Sequence, residues 1–358
     1  MLALRKCEPV RGLALTDVEP RQECGPGEVL VKVYATGICG SDLHIDDWHE
    51  GTLGWLRQSL PVTLGHEFSG IVVQAGSDVA NLSPGMGVVV QPALYCGQCA
   101  ACAAGRSDLC GSIGFVGITR DGAFSETVVV PAANCYAVPE GTDLALAALA
   151  EPLCVARNAL NTGEVLDEAT VLVLGPGTIG QGIALQAKLN GARTVIVAGL
   201  NDGPRLRRCL ALGIDHVIDL AEDSLQDAIR RITGGQVDRV FEATGAPGSI
   251  GDALSVLRTG GILTCSGIHF DSAAVDISML VRRRLQIRGA YSSVPADWTH
   301  VLGLLATHGE RFRPMITHHL PLDRVLEGFA LARTKDVSKV LVYPGGPDTL
   351  TAPTLPVS

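Results

Sequence analysis

The chain reads as an α/β protein in which a β-rich domain precedes a doubly wound parallel sheet. Three observations predict this. Short apolar runs broken by glycine-rich turns fill the chain up to Ala150, and six apolar strands alternating with amphipathic stretches follow from Ala169. A glycine-rich turn joins the first of those six strands to its helix. At 358 residues and 47% hydrophobic content, the chain also exceeds the size at which one core usually stops growing, so two domains are expected.

In the β-rich part, strands are expected at 29–34, 70–73, 88–91 and 127–131. In the second part they are expected at 171–174, 194–198, 216–218, 239–242, 262–265 and 285–288. Helices fall between them at 179–189, 205–212, 224–233 and 249–257, each with apolar residues at three- and four-residue spacing. Helices at 297–307 and 323–333 and a strand at 339–343 are expected to return to the first domain. The domains are therefore drawn as 1–152 with 294–346, and 153–293. The stretch from Pro344 is rich in Pro, Gly and Thr, and 347–358 is expected to be a loosely held tail.

A formal charge of −9 argues against a nucleic-acid partner, because non-specific affinity for phosphates comes from clustered Lys and Arg. The first residues lack the apolar core of a secretory signal and no apolar run reaches membrane-spanning length, so a soluble cytoplasmic protein with no membrane partner is expected. Eleven cysteines fit a reducing compartment. Cys7, Cys24, Cys135, Cys154, Cys209 and Cys265 are expected simply to pack.

Four other cysteines, Cys96, Cys99, Cys102 and Cys110, crowd into fifteen positions. Short Cys-x2-Cys segments deliver paired thiolates to a tetrahedral shell at about 2.3 Å, which points to one structural zinc ion. Further along, Gly175-Pro-Gly177-Thr178-Ile179-Gly180 follows an apolar strand and opens a helix. That is the dinucleotide pattern: Gly175 permits the turn, Gly177 lets the backbone approach a pyrophosphate, and Gly180 allows close helix–strand packing. The acid that normally binds the adenosine ribose at the end of the second strand is absent, and Gly199 stands there. Gly199 leaves room for a 2′-phosphate that Arg205, Arg207 or Arg208 would neutralise, whereas Asp202 on the lengthened loop would serve a ribose. NAD is favoured and NADP stays possible.

Three fragments complete the reading: GICGSDLH at 37–44, LPVTLGHEFSG at 60–70 and AEPL at 150–153. With the cysteine lobe and the glycine turn, they resemble the zinc-dependent medium-chain dehydrogenase/reductase family, the alcohol dehydrogenase superfamily, over nearly the whole chain. The likeness is greatest to its sorbitol and threonine dehydrogenase branches. The resemblance implies a GroES-like catalytic domain, a Rossmann-type cofactor domain and a second, catalytic zinc. Cys39 and His66 are its implied ligands, joined by Glu67 or Glu151 according to the bound state. Asp42 looks like the carboxylate that hydrogen-bonds the distal nitrogen of His66. Ser41 is implied to accept the substrate hydroxyl proton and pass it through the cofactor ribose to His44.

Alcohol-specialised branches of the family carry a cysteine where Glu151 stands. Carboxylate is the harder, less donating ligand, so the site should favour a secondary alcohol with a neighbouring polar group: a polyol, a sugar or a hydroxy-amino acid. Trp48, Trp55, Thr119, Arg120 and Ser292 are candidates to line the substrate cleft. A sugar- or polyol-phosphate substrate is the alternative, with Arg120, Arg282, Arg283 or Arg284 supplying positive charge. A non-catalytic binding protein on the same fold is the alternative outside enzymes. A homo-oligomer, dimer or tetramer, is expected.

Overall fold

The computed structural model of the protein describes residues 1–49 and 53–346, so the tail at 347–358 lies outside the described residues. The chain divides into two compact units, Met1–Glu151 with the chain from Val294 onward, and Pro152–Ser293. No described helix is long and apolar enough to cross a membrane.

The first unit is built on antiparallel strands: β1 (Leu2–Lys6), β2 (Ala14–Asp17), β3 (Glu28–Gly37), β4 (Val62–Thr63), β5 (Glu67–Ala75), β6 (Gly87–Val90), β7 (Ala93–Leu94), β8 (Gly114–Phe115), β9 (Thr127–Pro131) and β10 (Cys135–Ala137). The late strands β17 (Ile316–Pro321) and β18 (Lys339–Tyr343) join them. The main sheet runs β10-β6-β5-β3-β18-β17, and β9 also pairs with β3. In β3, Val29, Val31 and Val33 are buried on one face, while on the other Lys32 is exposed and Leu30 and Thr36 are buried. These valines pack with Phe68, Val72 and Val88 into one core. The pairing also fixes function-bearing positions. Gly37, at the end of β3, lies opposite Glu67, at the start of β5, so the residues following β3 and those preceding β5 come together.

The second unit holds six strands, β11 (Thr170–Leu174), β12 (Thr194–Gly199), β13 (His216–Asp219), β14 (Val237–Glu242), β15 (Leu257–Cys265) and β16 (Gln286–Gly289). Every neighbouring pair is parallel, in the order β13-β12-β11-β14-β15-β16. The strand order reverses between β11 and β14, which makes the carboxyl edge there the place where a ligand binds in such sheets. Wholly buried β11 is apolar from Val171 to Leu174 because helices cover both faces of a parallel sheet. The helix Leu225–Thr233 shows how local signals close an element. Ser224 accepts the Asp227 N–H at its start, and Gly234, at φ 85°, ends it in a conformation that costs a residue with a Cβ about 1 kcal/mol.

The structure differs from the sequence expectation in several elements. β15 begins at Leu257 rather than 262, and its register against β14 shifts between Val237 and Arg239, where Gly260 and Gly261 interrupt the apolar signal. β1, β2 and β17 were not expected, being short or polar on one side. The helix Ala150–Gly163, which carries Glu151 in its first turn, was hidden by Pro152, which such a first turn tolerates. Cys135, Cys154 and Cys209 are buried, and Cys7, Cys24 and Cys265 half-buried.

Candidate active site and metal centres

The residue after β3 is Ile38, and Cys39 then precedes the helix Gly40–Asp47. Asp42, in the first turn of that helix, accepts the Cys39 N–H at 2.9 Å. This satisfies one of the donors that a helix start leaves open and fixes the loop on which the Cys39 thiol sits. His66 arrives immediately before β5, and the ligand atoms of Cys39, His66 and Glu67 lie within 4.8 Å of one another. His66 Nδ1 stands 3.5 Å from Asp42 Oδ1, while its Nε2 is 3.2 Å from the Ser41 hydroxyl. The two ring nitrogens therefore face different groups. One faces a buried carboxylate that orients the ring, leaving Nε2 toward Ser41 as the ligand side.

Thiolate, imidazole and carboxylate at this spacing suit zinc, and they suit a site with an open fourth position. Burial opposes charge on His66, but the Asp42 carboxylate and Cys39 beside it raise its pKa well above the ordinary imidazole value. A cation bound here would replace that proton. Glu151 is not within the tight triad among the described residues. It feels the same group of charges all the same: burial, then Glu67, push its pKa up to about 7, while His66 and Lys339 pull the other way.

Sequence reasoning missed Lys339. It opens β18, whose five residues are all buried, and its Nζ meets Glu67 Oε2 at 2.5 Å and the Ile38 carbonyl at 2.9 Å. A lysine heading a strand that otherwise reads Val-Leu-Val-Tyr was the available signal, because a buried ammonium demands a partner. His44 lies on the same helix as Ser41, half-buried. Burial lowers its pKa against the opposing pull of Asp47.

The cysteine lobe is a second donor set. The sulfurs of Cys96, Cys99, Cys102 and Cys110 all lie within 4.8 Å of one another. Cys96 is 3.9 Å from Cys102 and 3.5 Å from Cys110, against about 3.8 Å expected between thiolates of a tetrahedral zinc shell. Backbone N–H groups supply the electrostatics. The amide of Cys102 holds the Cys99 thiol down at about 6, and those of Cys96 and Ser112 lower Cys110.

In the second unit, Gly175 has φ 106°, the region that favours glycine, directly after β11. A side chain at Gly180 would collide with the Gly175 carbonyl, whereas one at Gly177 would meet nothing within 4 Å. The turn is thus closed on the helix side and open on the side where a pyrophosphate would sit. Thr178 and Ile179 open the helix Thr178–Leu189 there, presenting its N-terminal amides. Buried Gln181 fastens the turn by donating to the Pro176 carbonyl at 2.8 Å. A Cβ at Gly199 would meet Pro176 Cγ at 2.8 Å and Asp202 Cβ at 2.9 Å. A side chain at Gly199 would therefore clash with Pro176 and Asp202, which is why glycine stands there. Asp202 is held beside the glycine turn, 93% buried, and pairs with Arg205 at 3.4 Å.

Residues 25–140 match the alcohol dehydrogenase GroES-like domain family, and residues 178–307 match the zinc-binding dehydrogenase family. The chain is 35% identical over 348 residues to the L-threonine 3-dehydrogenase of Chelativorans sp. (strain BNC1), covering 96% of this chain and 98% of that relative. The chain belongs to the zinc-dependent medium-chain dehydrogenase/reductase family. Among solved structures, this dehydrogenase resembles a zinc-binding dehydrogenase from Sinorhizobium meliloti 1021 bound to NADP, with TM-score 0.85 and 29% identity. It also resembles the 2R,3R-butanediol dehydrogenase of Bacillus subtilis, with TM-score 0.86 and 29% identity; each comparison covers 96% of this chain and 99% of the other. It is a zinc-dependent oxidoreductase of the alcohol dehydrogenase type, with a GroES-like domain and a Rossmann-type sheet.

Among the candidate cleft residues of this dehydrogenase, Trp48, Thr119 and Arg120 have partners within the first unit. Trp48 is 9% exposed under the Lys6 ammonium, whose Nζ is also bound by the Val10, Gly12 and Asp46 carbonyls. Trp55 is exposed, and Thr119 closes its own turn on Phe115. Ser292 lies in the other unit, where its carbonyl accepts from Asn158. Arg120 pairs with Glu28 at 2.5 Å, at the end of β3 remote from Cys39. Arg283 donates to the Leu254 and Ser255 carbonyls, while Arg282 and Arg284 are exposed. The phosphate-substrate alternative thus loses Arg120 and Arg283 as unengaged cations.

Proposed function

We propose that the protein oxidises a secondary alcohol bearing an adjacent polar group, a polyol, sugar or hydroxy-amino acid, with Cys39, His66 and a carboxylate from Glu67 or Glu151 as ligands of a catalytic zinc. The observation that carries this reading is the Cys39, His66 and Glu67 donor set, half-buried at Cys39 and buried at the other two, with Ser41 on one side of His66 and Asp42 on the other. The threonine dehydrogenase relative and the butanediol dehydrogenase neighbour are named for substrates of this kind, which supports it.

Zinc at this site supplies a Lewis acid that lowers a hydroxyl's pKa, and nicotinamide supplies the hydride acceptor. The chain's own residues do the rest. Asp42 holds the His66 ring in one orientation, and the Ser41 hydroxyl, facing the ligand nitrogen, takes the substrate proton while giving up its own. His44, kept neutral near pH 7 by its burial, accepts that proton and releases it to water. Lys339 neutralises Glu67 within the buried site. Cys96, Cys99, Cys102 and Cys110 hold the structural zinc.

For the cofactor we favour NAD. The Asp202 carboxylate stands beside the glycine turn, suited to the adenosine ribose, and Arg205 is paired to it. The protein is a homo-oligomer in this reading, because β16 forms a sheet edge bearing exposed Ile287, beside exposed Val281 and Tyr291. A cytoplasmic setting fits its eleven cysteines, none of them in a disulfide. A panel of polyols, sugars, hydroxy-amino acids, their phosphates and simple primary alcohols, run with NAD and NADP, tests the reading. Activity confined to primary alcohols, or a preference for phosphorylated substrates, overturns it.

A further inference from the structure

The strand order divides the second unit at the glycine turn. β12 and β13 lie on one side of β11, with Asp202 following β12, and β14, β15 and β16 lie on the other. In a sheet of this topology a dinucleotide spans the carboxyl edge with one mononucleotide on each half. Asp202 assigns the adenosine to the β12 side, so the nicotinamide belongs over the carboxyl ends of β14 and β15.

Glu242 ends β14 with no solvent exposure. Its Oε1 accepts from the Thr244 N–H at 2.7 Å, the Gly245 N–H at 3.0 Å, the Ser249 hydroxyl at 3.0 Å and the Thr244 hydroxyl. Its Oε2 lies 3.0 Å from His269 Nε2, on the loop leaving β15. The two loops are locked together there. A Cβ at Gly267 would stand 2.6 Å from Glu242 Oε2, and the Ser266 and Gly267 amides donate to the Glu242 carbonyl. One buried carboxylate therefore sets the conformation of both loops at the nicotinamide end of the sheet.

His269 goes beyond loop architecture. With Nε2–H donated to Glu242, its Nδ1 is left as an acceptor, and that atom is shielded from solvent without a hydrogen-bond partner. Three residues earlier on the same loop, the Ser266 hydroxyl is likewise buried and without a partner. A lone buried acceptor and a lone buried donor on one loop are costly unless something completes them. A carboxamide is their complement, offering N–H to one and C=O to the other.

We propose that Glu242 orients His269 to bind the nicotinamide carboxamide, with His269 Nδ1 accepting from its amine and the Ser266 hydroxyl donating to its oxygen. His269 thereby positions the ring for hydride transfer. The inference rests on the dinucleotide reading of the glycine turn, and the test separates the two. Fluorescence titrations would measure binding of NADH, of ADP-ribose, which lacks the nicotinamide, and of reduced 3-acetylpyridine adenine dinucleotide, which lacks the amine. The expected result for His269→Ala is NADH binding weakened about tenfold, ADP-ribose binding changed less than about twofold, and loss of the wild type's preference for NADH over the acetylpyridine analogue. His269→Asn, which keeps an acceptor near the Nδ1 position, should recover most of the loss, and Ser266→Ala should weaken NADH and the analogue alike. Parallel loss of ADP-ribose and NADH in His269→Ala, or unchanged NADH binding, overturns the proposal. Failure of the wild type to bind ADP-ribose overturns the dinucleotide reading itself.

Discussion

Cys39 and His44 sit five positions apart, and in the proposed mechanism they carry separable tasks, one in holding the metal and one in moving the proton. Cys39→Ser should therefore cut turnover by more than about a thousandfold and release one zinc while leaving the thermal midpoint nearly unchanged. Elemental analysis and melting curves check it. Because burial lowers the His44 pKa, its neutral form persists below pH 6.5, and the acid limb that it controls in kcat/KM should lie below that pH. His44→Gln should lower kcat about a hundredfold and abolish that limb in a pH profile. Lys339 answers to a different measurement. Replacing it by methionine leaves Glu67 buried without its cation, which should cost about 3–5 kcal/mol and lower the urea midpoint, more than Lys339→Arg does.

The glycine turn between β11 and its helix and the cysteine lobe are self-contained pieces whose geometry follows from a few covalent and steric facts. Gly180 packs against the Gly175 carbonyl, so Gly180→Ala must push the helix start away from β11. It should weaken NADH binding more than about tenfold, read by fluorescence titration, with the metal content unchanged. In the lobe, removing one thiolate breaks a closed four-sulfur shell. Cys99→Ser should release the structural zinc and lower the thermal midpoint, the opposite division of effects from Cys39→Ser.

For the whole molecule, the two donor sets predict two zinc ions per chain, and a fully loaded preparation with one would remove either the catalytic or the structural assignment. The edge of the six-stranded sheet bears on assembly. Ile287→Asp on β16 places a charge in the apolar edge, and light scattering at micromolar concentration should show the assembled protein shifting toward monomer.

Spacing written directly into the chain was legible from residue order. Four cysteines in fifteen positions, glycines at 175, 177 and 180 behind an apolar strand, and the βα rhythm after Ala169 are local patterns, because thiolate reach, turn sterics and strand periodicity act over a few residues. Residue order alone could not bring Cys39 to His66, since that depends on β3 and β5 pairing so that Gly37 faces Glu67. Nor could it show that Lys339, 272 positions after Glu67, supplies that carboxylate's counter-charge, or that Pro176 and Asp202 fill the space beside Gly199. The loop pairing of Glu242 with His269 is of the same kind. These are contacts between distant segments, chosen by sheet register and by the cost of burying a charge without a partner, and only the folded chain decides them.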